Sequence, residues 1–273
     1  MDGSRKVVAI VVPHPDDLEI LVGHIVLYFL KHNYRVIEIL MTWGEYGVIN
    51  RFKHNGDKLK GKPLRKIRKK ENYHAKTAYG YDNDGLPRVE TIPLNYIDGH
   101  VPVSFESIHN LLQIFESLKP TVIIGPDPVY SIDWHVDHMA CAYNTYFAVK
   151  NLNNSLFLKS YCLYQSYKPN LFLPIYQENW VILQKAHLAH KSQMRPVTIK
   201  ILLTLHRTLL IFYHRKKTRL RRINLQKISI TGTMGKISTL VDWIIYFLLH
   251  NNKPDNTLYS PTPEQLGLTI EPL

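Results

Sequence analysis

The sequence predicts an α/β fold, a mostly parallel sheet flanked by helices, with its chemistry on loops at one edge of the sheet. Three observations predict it. Residues 7–12 (VVAIVV) and 121–125 (TVIIG) are short, continuous apolar runs, the pattern of parallel strands buried on both faces. Helix-length segments at 18–31, 64–79 and 105–118 alternate with such runs. Two polar clusters, PHPDD at 13–17 and HVDH at 135–138, follow strands, and open α/β sheets hold their ligands beyond the carboxyl ends of strands.

Taken in order, residues 7–12 are the first strand and 18–31 the first helix, mostly apolar. Residues 34–42 (YRVIEILMT) read as a second strand, followed by the loop Trp43-Gly44-Glu45-Tyr46-Gly47. The basic stretch 48–63 reads as a surface loop. Residues 64–79 form a helix with a charged face, and Gly80 suits its C-cap. A short strand at 88–94 precedes the turn Asp98-Gly99, and Ser104 is an N-cap for the helix 105–118, which stops before Pro120. The strand 121–125 then feeds a loop that enters a helix near His138. Past residue 151 the pattern weakens: late strands are expected at 161–166 and 181–183, and a helix at 185–194. Beyond Arg195 comes a basic, helix-prone segment, broken at Gly232 and Gly235, then an apolar segment at 237–249 and a proline-bearing tail.

The chain has 273 residues, 45% of them apolar, enough for a sizeable core. Its formal charge of +12 implies attraction to something anionic and says little about fold. The excess lies in residues 51–76 and 195–227. The second stretch interleaves leucines with basic residues. It suits an interfacial helix on anionic lipid, a core helix followed by a solvated basic turn at 215–222, or a dimer contact. No recognised nucleic-acid motif or regular aromatic-basic spacing supports nucleic acid as a partner. Two cysteines, Cys141 and Cys162, make no disulfide framework, which suits a reducing, cytoplasmic compartment. No apolar stretch reaches the 18 or so uncharged residues of a spanning helix, and the start shows no signal-peptide pattern.

The two polar clusters point to a metal. Zinc and similar ions take imidazole and carboxylate ligands, and a catalytic site keeps one position for water. Two adjacent carboxylates on one turn do not readily ligate the same ion, so one of Asp16 and Asp17 is left to act as a base. A helix beginning near His138 lets His138 ligate while His135 stays on the loop to stabilise an oxyanion or protonate a leaving amine, with Asp137 orienting one of the two rings. Plainer readings stand beside these. Asp16 or Asp17 suits an N-cap, Arg68 suits a pair with Glu71 on its own helix, and Glu45 suits a loop position without partners.

PHPDD after an apolar first strand, with HxDH after a later one, resembles the LmbE-like/PIG-L superfamily of metal-dependent de-N-acetylases. Thr42-Trp43-Gly44-Glu45-Tyr46-Gly47 is similar to that family's T-x-G-E-x-G, and Arg68-Lys69-Lys70-Glu71 with Ala75 and Gly80 to its R-x-x-E…A…G helix. Asp98-Gly99 and the segment Lys185, His190, Gln193 resemble weaker positions. The resemblance covers residues 5–195. It departs at Val136, where proline is common, and at Leu18, where an acid is common.

The resemblance implies a Rossmann-like core over residues 1–195, and the sequence beyond it reads as a basic, partly helical extension, 196–273, packed on or near that core. It implies His14, Asp17 and His138 as ligands of zinc or another divalent ion, Asp16 as general base, His135 as electrostatic partner and Asp137 as its support. Arg68, Asp98 and Glu45 are then substrate contacts. The expected reaction removes acetyl from an N-acetylglucosamine-type substrate. The expected partners are that amino sugar, an anionic membrane surface or lipid-linked substrate, and a second copy of the chain. The competing classes are a metal hydrolase for esters or phosphoesters and a basic, non-catalytic module for membrane or nucleic acid.

Overall fold

The computed structural model describes residues 5–47, 53–54, 57–131, 135–152, 155–193, 217–223 and 225. In chain order the elements are β1 (Val7–Val12), α1 (Asp17–Lys31), β2 (Arg35–Thr42), β3 (Lys53–His54), β4 (Asp57–Lys58), α2 (Lys62–Thr77), β5 (Val89–Tyr96), α3 (Phe105–Leu118), β6 (Val122–Pro126), α4 (Val136–Asn151), β7 (Ser160–Tyr164), β8 (Leu171–Pro174), α5 (Asn179–Ala189) and β9 (Lys217–Ile223). They group into two compact units, one of the described residues in Met1–Gly99 and Phe172–Thr218, the other of those in His100–Leu171 and from Arg219 onward. The fold is α/β, parallel strands flanked by helices, as expected.

In the first unit β2 lies between β1 and β5, all parallel, with Val7 opposite Arg35 and Val36 opposite Val89. The register slips between Leu40 and Thr42, where a bulge turns the end of β2 into the Trp43–Gly47 loop. Val8 to Val12 are wholly buried, as a strand covered on both faces requires, and each valine and isoleucine among them contributes about 1.5–3 kcal/mol. α5 packs on α1 and α2. Gly23 allows the first of these contacts, because a Cβ there would stand 2.4 Å from Leu183 Cδ2. His24 is buried in edge contact with Trp180, at 4.6 Å between rings.

In the second unit β6 and β7 are parallel, and β9 runs antiparallel to β7 with Arg221 opposite Leu163. α3 begins where Ser104 predicts: its hydroxyl accepts from Ser107 N at 3.1 Å, and Ser107 Oγ accepts from Ser104 N at 2.9 Å. The helix ends at Lys119, which takes a left-handed φ of 48° ahead of Pro120.

Three expectations need correction. Residues 181–183 are helical, inside α5, because Leu183 and Ala186 fall on one buried face at helical spacing. The helix expected at 185–194 runs instead over Asn179–Ala189, whereas α4 starts at Val136, close to the expected His138. Residues 217–223 form a strand where a basic helix or turn was expected, with Leu220 buried between exposed Arg219 and Arg222. β8 was not anticipated. The rest of 195–227 apart from residue 225, the glycine breaks, the apolar segment 237–249 and the tail lie outside the described residues, as do parts of the loop 48–63. Among the described residues no helix is long and apolar enough to cross a membrane.

Candidate functional site

The turn after β1 folds onto itself. His14 N donates to Asp17 Oδ2 at 2.9 Å, and His14 Nδ1 lies 3.1 Å from the same oxygen. The other ring nitrogen, Nε2, faces Asp98 Oδ1 at 3.2 Å. The imidazole is thus held between two carboxylates, and all three residues are buried. Asp16 occupies the N-cap position of α1, but its side chain makes no capping bond. Its Oδ1 instead accepts from Arg68 Nη2 at 2.7 Å. Arg68, 2% exposed, also donates from Nη1 to Gly44 O at 2.6 Å. Arg68 does not pair with Glu71, whose carboxylate accepts from Ser192 N and Oγ at 2.8 and 2.6 Å.

The loop after β2 supports this arrangement. Gly44 has φ +63°, and a Cβ there would lie 1.6 Å from Arg68 Nη1, so only glycine gives the guanidinium its place. Asp98 Oδ2 accepts from Tyr46 N and Gly47 N at 2.8 and 2.9 Å. Burial alone would raise the Asp98 carboxyl. The hydrogen bond and charge of His14, the Tyr46 N–H and the charge of Arg68 outweigh it and hold the group well below the usual carboxylate range. Gln193 Nε2 closes the loop by donating to Gly47 O at 2.7 Å. Glu45 is not a solvated loop residue: it is buried, and its Oε2 has no hydrogen-bond partner among the described residues.

In the second unit His135 is the N-cap of α4, and its Nδ1 accepts from Asp137 N at 3.2 Å. A neutral ring in that bond carries its proton on Nε2. Asp137 Oδ1 accepts from Val101 N at 3.2 Å. The His135 and His138 rings are 5.3 Å apart, one exposed and the other buried.

Of the anchors around these groups, sequence reasoning marked only His190, as a weaker position of the resemblance. Glu19, Glu38, Lys76 and His190 form a buried ionic group in the first unit. Asp127 and Arg221 form an ion pair in the second. Glu19 and Lys76 stand on helices with charged neighbours in sequence, and nothing in spacing marks them as buried. The Asp after a strand in Gly125-Pro126-Asp127 was the one available signal for Asp127.

The family described as PIG-L, GlcNAc-PI de-N-acetylase, matches residues 9–149, and the chain belongs to it. Among solved structures, it is similar to the N,N'-diacetylchitobiose deacetylase of Pyrococcus horikoshii complexed with its inhibitor. That likeness has a TM-score of 0.71 at 24% identity, covering 85% of this chain and 88% of that one. It is also similar to the zinc-inhibited form of teicoplanin deacetylase, at TM-score 0.57 and 13% identity over 80% and 99%. The 4-carboxy-2-hydroxymuconate hydratase of Pseudomonas putida shares the fold as well, at TM-score 0.65 and 13% identity over 80% and 96%. At these identities the likeness is one of fold. No curated protein matches the chain.

Proposed function

We propose that the chain is a divalent-metal-dependent hydrolase that removes acetyl from an N-acetylglucosamine-type substrate, giving acetate and a free amino sugar. Membership of the de-N-acetylase family supports the reaction class. The observation that carries the site assignment is the separation of two adjacent carboxylates: Asp17 faces the His14 ring, while Asp16 is held by Arg68. One is thereby free to ligate and the other to take a proton.

His14, Asp17 and His138 offer two imidazoles and a carboxylate, the donor set of a catalytic zinc site, and iron or another divalent ion takes the same donors. Within the first unit, the geometry of His14 supports this reading. His14 turns Nε2 to the Asp98 carboxylate and Nδ1 to the side of Asp17, the usual orientation of a ligating histidine backed by an acid. When bound, a divalent ion supplies polarisation of the acetamide carbonyl and a water of lowered pKa.

The chain's own groups do the rest. Asp16, oriented through Oδ1 by Arg68, takes the proton of the attacking water and delivers it to the leaving amine. His135, with its proton on Nε2, donates to the carbonyl oxygen as charge develops there. Asp137, anchored on Val101 N, keeps the start of α4 in place under that ring. Arg68, Asp98 and the unsatisfied Glu45 carboxylate contact substrate hydroxyls, Asp98 while also orienting His14.

The same reading puts the enzyme in a reducing, cytoplasmic compartment, which two cysteines outside any disulfide suit. The positive charge of 195–227 suits an anionic membrane, a lipid-linked substrate or a second copy as partner. The test is acetate release from free N-acetylglucosamine, chitobiose, a nucleotide sugar and an inositol-linked lipid, with zinc and then with chelator. Chelator-sensitive release from any of them is expected. Bound metal without release would favour an ester or phosphoester hydrolase, and neither metal nor release a binding module.

A further inference from the structure

We infer that Arg221 on β9 is a positioning residue for the loop that carries His135. The basic strand near the end of the chain is then part of the working enzyme and not an appendage. The inference takes its reaction from the function proposed above, but its geometry stands apart from that reading.

Asp127 directly follows β6 and is 0% exposed. Its Oδ1 accepts from Val129 N and Tyr130 N, both at 2.9 Å, so the carboxylate shapes the first turn of the loop. A carboxylate sealed from water needs a counter-charge, and among the described residues Arg221 supplies it: Nη1 lies 3.1 and 3.0 Å from the two oxygens. The strand register explains the reach. Arg221 is opposite Leu163 on β7, and Leu163 is opposite Gly125 on β6, two residues before Asp127.

The guanidinium also stacks on the ring of the turn residue Tyr130, with Cζ 4.3 Å from its centre. Tyr130 O in turn accepts from Tyr167 N at 3.0 Å, and Asp127 N donates to Tyr164 O at 3.1 Å. One arginine therefore fixes both the acid and the aromatic ring of the turn. The loop runs on from it to His135, the N-cap of α4. Removing the guanidinium leaves a buried carboxylate that must gain a proton, admit water or move, and each outcome shifts the turn. Arg221 acts through the loop, so its loss is expected in kcat more than in KM.

Arg221→Ala should lower kcat for acetate release on the order of 100-fold, the scale of a displacement of about 1 Å, with KM little changed. Methylguanidinium should restore part of the kcat of Arg221→Gly, and Arg221→Lys, which keeps the charge without the fork, should fall between. Lys159→Ala, at an exposed lysine just ahead of β7, should match the unaltered chain. An unchanged kcat in Arg221→Ala would overturn the inference, and so would a loss that guanidinium does not rescue. If the unaltered chain releases no acetate, the proposed function fails and hydrogen exchange decides this question separately. Faster exchange of the Val129 and Tyr130 amides and of 135–139 in Arg221→Ala, absent in Lys159→Ala, supports the inference. Unchanged exchange overturns it.

Discussion

The first unit buries two groups of charged side chains, and they are wired differently. At the end of β1, His14, Asp16, Asp17, Asp98 and Arg68 meet with two neighbouring backbone loops. Under α1 and α2, Lys76 Nζ lies 3.0 Å from Glu19 and 2.9 Å from Glu38, and His190 Nε2 lies 2.9 Å from Glu19. Thr91 Oγ1 and Asn72 Nδ2 also donate to Glu38. In this second group every side chain is at most 3% exposed, and its charges answer one another. Burial presses Glu19 upward, yet Lys76 and His190 overcome it and hold the carboxyl at about 2. At Glu38 burial outweighs the same lysine, and its pKa is raised. The group at β1 is less closed: Asp16 is 14% exposed, and nearby Glu45 keeps an unsatisfied oxygen. Both groups bury charge, and what separates them is a carboxylate left open to solvent in the first.

Two substitutions break that comparison from opposite sides. Asp16→Asn keeps an acceptor for Arg68 and removes no ligand, so metal should stay bound while acetate release falls roughly 10²–10⁴-fold. His14→Ala, by contrast, should lose the metal as well. Turnover assays beside metal analysis separate the two, and near-normal turnover in Asp16→Asn would end its role as base. Lys76→Met should act on folding instead. It leaves Glu19 and Glu38 buried without their shared cation, a loss of about 3–5 kcal/mol in urea unfolding. A change within the roughly 0.5 kcal/mol of an ordinary surface substitution would show that the group holds nothing.

The contrast also explains what the sequence disclosed. PHPDD is contiguous, and its residues act within one turn, so their types and order were readable. Gly44 was visible as part of a glycine-bearing loop, although the reason for it, the guanidinium of Arg68, was not. Glu19, Glu38, Lys76 and His190 come from α1, β2, α2 and the end of α5, and each looks in isolation like a solvated or capping residue. Their meeting depends on packing, which local pattern does not encode. The same holds for β9: the alternation in KTRLRRI was masked by its charge, and the strand declares itself only through pairing with β7. Val181-Ile182-Leu183 misled in the other direction, because β-branched residues on a helix face read as strand.

Gly44→Ala sharpens the comparison at its nearest contact. A methyl group there meets Arg68 Nη1 and a left-handed backbone, which costs about 1–2 kcal/mol in strain before the arginine moves. Displacing the guanidinium frees Asp16, so acetate release should fall about ten- to a hundredfold with metal retained. Turnover that survives while stability falls would mean that Arg68 repositions without loss.

His187 gives the smallest effect and reports on the closed group. It is buried on α5, with Nδ1 2.6 Å from Leu183 O. Burial lowers its pKa below 6.5, and the Leu183 carbonyl and the nearby Glu19 charge only partly oppose that. The folded chain therefore keeps the ring neutral at a pH where the unfolded chain takes up a proton. Its contribution is fully present above pH 6.5 and is lost as pH falls below it, at no more than about 1.4 kcal/mol per pH unit. Urea unfolding of the native chain and of His187→Gln between pH 5 and 7.5 isolates this slope from the carboxylates that both chains share. The stability difference between them should be flat above pH 6.5 and change below it in favour of His187→Gln. Parallel profiles throughout would mean that the ring takes its proton as readily in the folded chain, and hence that water reaches the flank of the Glu19 group.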